Sequence, residues 1–285
     1  MFFNTIFALA AVASVSAHGW VHTALIGGKK YSGPYPFDNK PGASPIRQII
    51  TTSPIKNALD GNMNCGIGSK KASIVAPANP GDKITITWRS TATKNWGHTL
   101  GPIMTYLAQV PGGQTADKFD TKNAKFFKIA QTGQSGGPGS GWVMAGLKKG
   151  NTYSFDLPNN LPAGDYIIRH ELIALHFAWN QKDSPQFYPT CMQIRVGGGS
   201  KSPQAVAGAQ TVSFPGGYTP NDKSLYVPNI FKNNFVYTFP GPKLYKSNSA
   251  RDEIPGSNST ITEESKRAVI VPEEHRRMIK ARRGE

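Results

Sequence analysis

Residues 169–196, RHELIALHFAWNQKDSPQFYPTCMQIRV, concentrate side chains that can do chemistry. His176, Gln186 and Tyr188 bring an imidazole, an amide and a phenol close together, beside Cys191, which can pin the loop. Such groups bind metals or steer protons. They can equally form a hydrogen-bonded core cluster, and the stretch alone leaves both readings open. Six histidines occur: His18, His22, His98, His170, His176 and His275. His275 falls in a charged tail and is expected in solvent. His18 follows Ala17 directly. If the chain is cut there, His18 carries a free α-amine next to its imidazole. That amine titrates near ~8 and gives up its proton to a metal readily. With a second imidazole the site holds three nitrogens, a tetragonal set that favours Cu(II) over other first-row ions. A tyrosine oxygen could complete it axially.

The leader and the cysteines set the compartment. Residues 1–17 read as a secretory signal, with an apolar core IFALAAVASV and small residues at Ser16 and Ala17. The core is too short to span a bilayer, and no later run approaches a span, so the protein is expected to be secreted and free of membrane. Cys65 and Cys191 are the only cysteines. In an oxidising compartment such a pair is expected to be bridged. The formal net charge is +15. The basic residues are scattered, without the aromatic-interleaved patch of a nucleic-acid module, so a basic soluble surface is expected.

The elements that must position these groups read as β structure. Gly and Pro total 52 of 285 residues, and turn signals recur between short apolar runs. WVHTALI (20–26), ASIVAPA (72–78), DKITITW (82–88), PIMTYLAQV (102–110), FFKIAQTG (126–133), GWVMAGL (141–147) and TYSFDLP (152–158) are predicted strands. Ile84, Ile86 and Trp88 share one face of their run. Asp165–Leu175 is a further strand, and Met192, Ile194 and Val196 mark a half-buried one, with Gln193 and Arg195 outward. Gly27 to Ser69 reads as a long loop region. The pattern predicts an all-β, two-sheet sandwich. YVPNIFKNNFVYTFPGPKLY (226–245) is dense in aromatics, and 246–285 reads as a flexible charged tail carrying the sequon Asn258-Ser259-Thr260.

HGWV (18–21), GHTLGPIMTYLA (97–108), FFKIAQTG, PAGDYIIRHELIALH (162–176), QFYPTC (186–191) and FPGGY (214–218) together resemble the fungal copper-dependent lytic polysaccharide monooxygenases of auxiliary activity family 9. The resemblance implies an immunoglobulin-like or fibronectin type III-like β-sandwich over 18–245, with long loops forming a flat copper-bearing face. It implies one copper ion held by the amine and imidazole of His18 and by His98, with Tyr188 axial. His176 and Gln186 would position the reactive oxygen species. Cys65 and Cys191 match the family disulfide, while His170 and His22 are assigned to structure. Two departures stand out. Thr99 and Leu100 make two residues before Gly101-Pro102 where the family usually has one, which predicts a reshaped loop at His98. The family's frequent second disulfide is replaced by QVPGG (109–113). Phe231 sits where many members present a surface tyrosine, so sugar stacking would survive without the hydroxyl.

The implied activity is oxidative cleavage of β-1,4-linked glycans, most directly cellulose, at carbon 1 or carbon 4. It takes hydrogen peroxide or dioxygen as co-substrate and an external electron donor, in a monomer. No carboxylate pair with hydrolase roles stands out. A copper-binding protein on the same scaffold is the alternative, and an adhesive module would not need the unblocked histidine.

Overall fold

In the computed structural model of the chain, residues 18–136, 138–180, 185–199 and 204–246 are described. The expected signal, the sequon at Asn258 and almost all of the expected tail lie outside them. The elements are β1 (Trp20–Ile26), β2 (Lys29–Ser32), β3 (Ala76–Ala78), β4 (Lys83–Arg89), β5 (Ile103–Gln109), β6 (Phe126–Thr132), the short helix α1 (Met144–Lys148), β7 (Tyr153–Asp156), β8 (Gly164–Ala174) and β9 (Gln186–Val196). They build two sheets, β2-β1-β4-β7 and β3-β9-β8-β5-β6. All pairings are antiparallel except β3 with β9. Among the described residues no helix is long and apolar enough to cross a membrane.

The core between the sheets takes Ile84, Ile86 and Trp88 from β4, as their alternation predicts, against Ile168, Leu172, Met192 and Ile194. The five-stranded sheet is also apolar on its other face. There Met104, Tyr106, Ile167, Ile173 and Phe187 pack beneath loops carrying Met63, Phe119, Phe214 and Tyr218. The Cys65–Cys191 disulfide fastens that loop layer to β9. Beside it, Arg169 makes a doubly hydrogen-bonded ion pair with Glu171 at 2.7 and 2.9 Å, both side chains fully buried. Arg169 also donates to the carbonyls of Met63 and Asn64, and its guanidinium lies 3.7 Å from the Phe214 ring centroid.

The loop layer explains where the sequence expectation fails on β9. That strand starts at Gln186, six residues before the predicted one, and it is buried along its length except at Arg195. Gln193 is buried rather than outward. Its amide donates to the carbonyls of Ala72 and Ile74, and its oxygen accepts from the Ala72 N–H and from Arg47. Three further corrections are local. GWVMAGL turns into α1, which buries Met144 and Leu147 on one side, a helical spacing that Met, Ala, Leu and Lys favour over a strand. The run 72–78 keeps only Ala76–Ala78 as strand. The expected loop from Gly27 opens with β2, because Gly27 and Gly28, at φ of 55° and 75°, form the two-residue hairpin turn that strand twist prefers.

Candidate metal centre

Three segments deliver the site. His18 precedes Gly19, where a Cβ would run into the Arg89 carbonyl oxygen and the Trp96 ring. Glycine there lets the chain pass close to the end of β4 and the 96–98 loop. The second segment is that loop. Gly101, at φ 134°, lies against the Ile173 carbonyl. The Ile173 N–H then donates to the Pro102 carbonyl at 3.1 Å and the Leu175 N–H to the Leu100 carbonyl at 2.9 Å. These bonds lock the loop bearing His98 onto the chain that leaves β8 with His176. The two imidazoles stack at 4.3 Å with their planes 19° apart. The third segment is the start of β9, whose alternation turns Gln186 and Tyr188 to one side and Phe187 to the other.

The Tyr188 hydroxyl donates to Gln186 Oε1 at 2.7 Å, and His98 Nε2 lies 3.2 Å from the same hydroxyl. Trp96, fully buried, packs edge-on against both His98 (5.3 Å) and Tyr188 (4.8 Å). The His18 ring is 6.4 Å from that of Tyr188. Burial pushes the His98 ring down to about 3, helped by His176, His18 and Lys148 and opposed by a hydrogen bond with Gln186. Burial lowers His176 as well, and burial and then Lys56 lower His18. Burial pushes the Tyr188 phenol well above its usual range. The site is therefore a set of neutral imidazoles with free lone pairs beside a neutral phenol.

The donor set fits a nitrogen-bound ion such as Cu(II). Among the described residues no group of three or more His, Cys, Asp or Glu side chains could hold a metal. A three-nitrogen set at His18 and His98 would draw its third nitrogen from the His18 backbone. His176 Nδ1 is buried without a protein partner.

The structure brings His18, His98, His176, Gln186 and Tyr188 together, and Leu100 in the loop after His98 is tied to Leu175 by a backbone bond. His22 stands apart on β1, against Trp20. His170 is fully buried between the sheets, with Nδ1 2.9 Å from Thr105 Oγ1. Burial and then Arg169 hold its ring down to about 3. Phe231 is exposed and contacts Trp179. Sequence reasoning assigned no role to Trp96. Its position two residues before His98 was the available signal. It also passed over Phe177 and Trp179, which are apolar residues in a loop.

Fold and site together define a β-sandwich carrying a candidate nitrogen-donor metal centre. Residues 18–238 match the family model of Auxiliary Activity family 9 (formerly GH61). The chain is 44% identical over 239 residues to AA9 family lytic polysaccharide monooxygenase D of Gloeophyllum trabeum, covering 83% of this chain and 67% of the relative. It is 36% identical over 254 residues to AA9 family lytic polysaccharide monooxygenase B of Malbranchea cinnamomea, covering 85% and 98%. Its fold is similar to the crystal structure of a cellulose-active polysaccharide monooxygenase from M. thermophila, with a TM-score of 0.68 and 33% identity, covering 80% of this chain and 99% of that one. The chain belongs to auxiliary activity family 9.

Proposed function

We propose that the protein is secreted, is cut after Ala17, and oxidatively cleaves β-1,4-linked glycans, cellulose foremost, at carbon 1 or carbon 4. The catalytic unit would span 18–245. One copper ion would be held by the α-amine and imidazole of His18 and by His98, with the Tyr188 phenol beside them. When bound, copper supplies the one-electron chemistry that activates hydrogen peroxide or dioxygen, fed by an external electron donor. Gln186 Oε1 accepts a hydrogen bond from the Tyr188 hydroxyl and so keeps the phenol oriented. Its amide N–H is left to donate to an oxygen co-substrate. His176, stacked on His98, keeps a second neutral imidazole beside the ligands, where it can give or take a proton. Trp96, fully buried, backs the site with edge-on contacts to both His98 and Tyr188.

The convergence of His98, His176, Gln186 and Tyr188 beside His18 carries this reading, and the names of the relatives support the substrate class. The test is incubation of the copper-loaded protein beginning at His18 with cellulose and ascorbate. Mass spectrometry should find oxidised oligosaccharides. Tight copper binding without such products would overturn the enzyme in favour of a copper-binding protein on the same scaffold.

A further inference from the structure

Three stretches of chain meet at the start of β9 around a cavity of about 330 Å³. Buried Ala58, Pro185, Phe187 and Leu225 line its inner part, and exposed Lys56, Asn57 and Pro220 line its mouth. Backbone bonds hold the walls. Ile55 and Phe187 exchange N–H···O bonds at 3.0 and 2.8 Å, and the Leu225 N–H donates to the Asp222 carbonyl at 2.9 Å. Strand alternation sends Tyr188 into the core between the sheets and Phe187 into the loop layer. The cavity therefore lies on the opposite side of β9 from Gln186 and Tyr188.

The lining decides what it can hold. Lys56 is its one charged residue, and no acidic residue lines it among the described residues. The acids nearest in sequence are engaged elsewhere. Asp60 Oδ1 accepts from the Asn62 N–H and amide, and Asp222 Oδ1 accepts from the Ser224 N–H. Asn57 uses its Oδ1 to accept from the Leu59 N–H at 2.9 Å, which leaves its amide N–H groups to donate. Prolines, Phe187 and Leu225 suit a flat apolar ring, and Lys56 suits a carboxylate. A sugar fits poorly, because two polar side chains cannot pair a hydroxyl on nearly every carbon. Burial and then the Lys56 charge lower the His18 ring, so an anion held by Lys56 lies within electrostatic reach of the metal centre.

We infer that this cavity binds a monocyclic aromatic carboxylate, with its ring against Phe187, Leu225 and the two prolines and its carboxylate on Lys56. Bound there, the ligand neutralises Lys56 and removes part of the positive field at His18 without occupying the metal.

The test titrates 4-hydroxybenzoate, and its uncharged counterpart 4-hydroxybenzamide, into copper-loaded and metal-free protein beginning at His18, by isothermal titration. The acid should bind with a dissociation constant of about 0.1–1 mM, the same in both forms of the protein. The amide should bind about twofold to fivefold more weakly. Lys56→Gln should bring the acid down to the affinity of the amide. Ala58→Phe, whose added ring fills the cavity, should bind neither compound while keeping the copper affinity of the parent. Lys148→Gln removes the charge that acts on His98 from α1 and should bind the acid like the parent. Parent-like binding of the acid by Lys56→Gln or Ala58→Phe, or an equal loss in Lys148→Gln, would overturn the assignment. Binding by the copper-loaded protein alone would put the carboxylate on the metal and overturn it too. So would displacement of the acid by cellotriose, which would make the cavity part of the glycan surface.

Discussion

Replacing His98 with alanine separates a metal ligand from an ordinary loop residue. In the fold, His98 is 8% exposed and hydrogen-bonds Tyr188, which keeps its own bond to Gln186 when the imidazole is gone. A lost neutral hydrogen bond costs about 0.5–1.5 kcal/mol. With the packing against Trp96 and His176 added, the variant should lose about 1–3 kcal/mol and remain folded. Copper affinity should respond far more. Changes to groups that merely support a ligand cost about 10–100-fold in metal affinity, so removal of the ligand itself should exceed ~100-fold. The acid dependence adds a second signature. The His98 ring is held down to about 3, chiefly by burial. It is therefore neutral above that value, and protons do not compete with copper for it between about pH 7 and 4.5. An ordinary imidazole, titrating near ~6.5, would lose about 100-fold in metal affinity by pH 4.5. The ratio of parent to variant affinity should therefore be the same at both pH values, even as each affinity falls with protonation of the His18 amine. Isothermal titration with Cu(II) at both pH values, with circular dichroism to confirm folding, measures this. If His98→Ala binds like the parent while His22→Ala does not, the ligand is His22. A ratio that falls about 100-fold towards pH 4.5 would show that the His98 ring titrates normally and that its burial has been misread.

Other outcomes follow from the same structure. Tyr188→Phe should still bind copper but with a changed Cu(II) electron paramagnetic resonance spectrum. It should also lose about 1–3 kcal/mol in urea unfolding, because the buried Gln186 oxygen loses its donor; an unchanged spectrum places the phenol away from the metal. His170 has its ring held down to about 3 in the fold. The native state therefore stays unprotonated while the unfolded chain protonates below ~6.5, and stability is lost as pH falls from that value, by about 2–3 kcal/mol at pH 4.5. His170→Phe should flatten that dependence in denaturant titrations, and an unaltered slope would assign it to other groups. Glu171→Gln leaves the buried Arg169 charge without its partner and should cost about 3–5 kcal/mol by chemical denaturation; a loss below 1 kcal/mol would contradict the buried pair. Intact-mass analysis of the secreted protein should show His18 first, and any other first residue removes two proposed copper nitrogens.

The sequence by itself determined the class of fold and named the cast of the candidate site. Period-two alternation in DKITITW specifies a half-buried strand locally, and β4 forms there. The order of HGWV, GHTLGPIMTYLA, RHELIALH and QFYPTC singled out His18, His98, His176, Gln186, Tyr188 and the two cysteines. These signals are local, because side-chain period and ligand chemistry reside in the residues themselves. Tertiary structure decided the rest. Whether Gln193 faces water or core depends on the loop layer packed over the five-stranded sheet, which no window along β9 reveals. Whether GWVMAGL is strand or helix depends on which face of Met144 and Leu147 finds a core. The neutrality of His98 comes from its burial and from His176, His18 and Lys148, residues far apart in the chain whose fields act only after folding. The same holds for Phe177 and Trp179. As residue types they suggest a buried loop, while the fold leaves both exposed in the turn after β8.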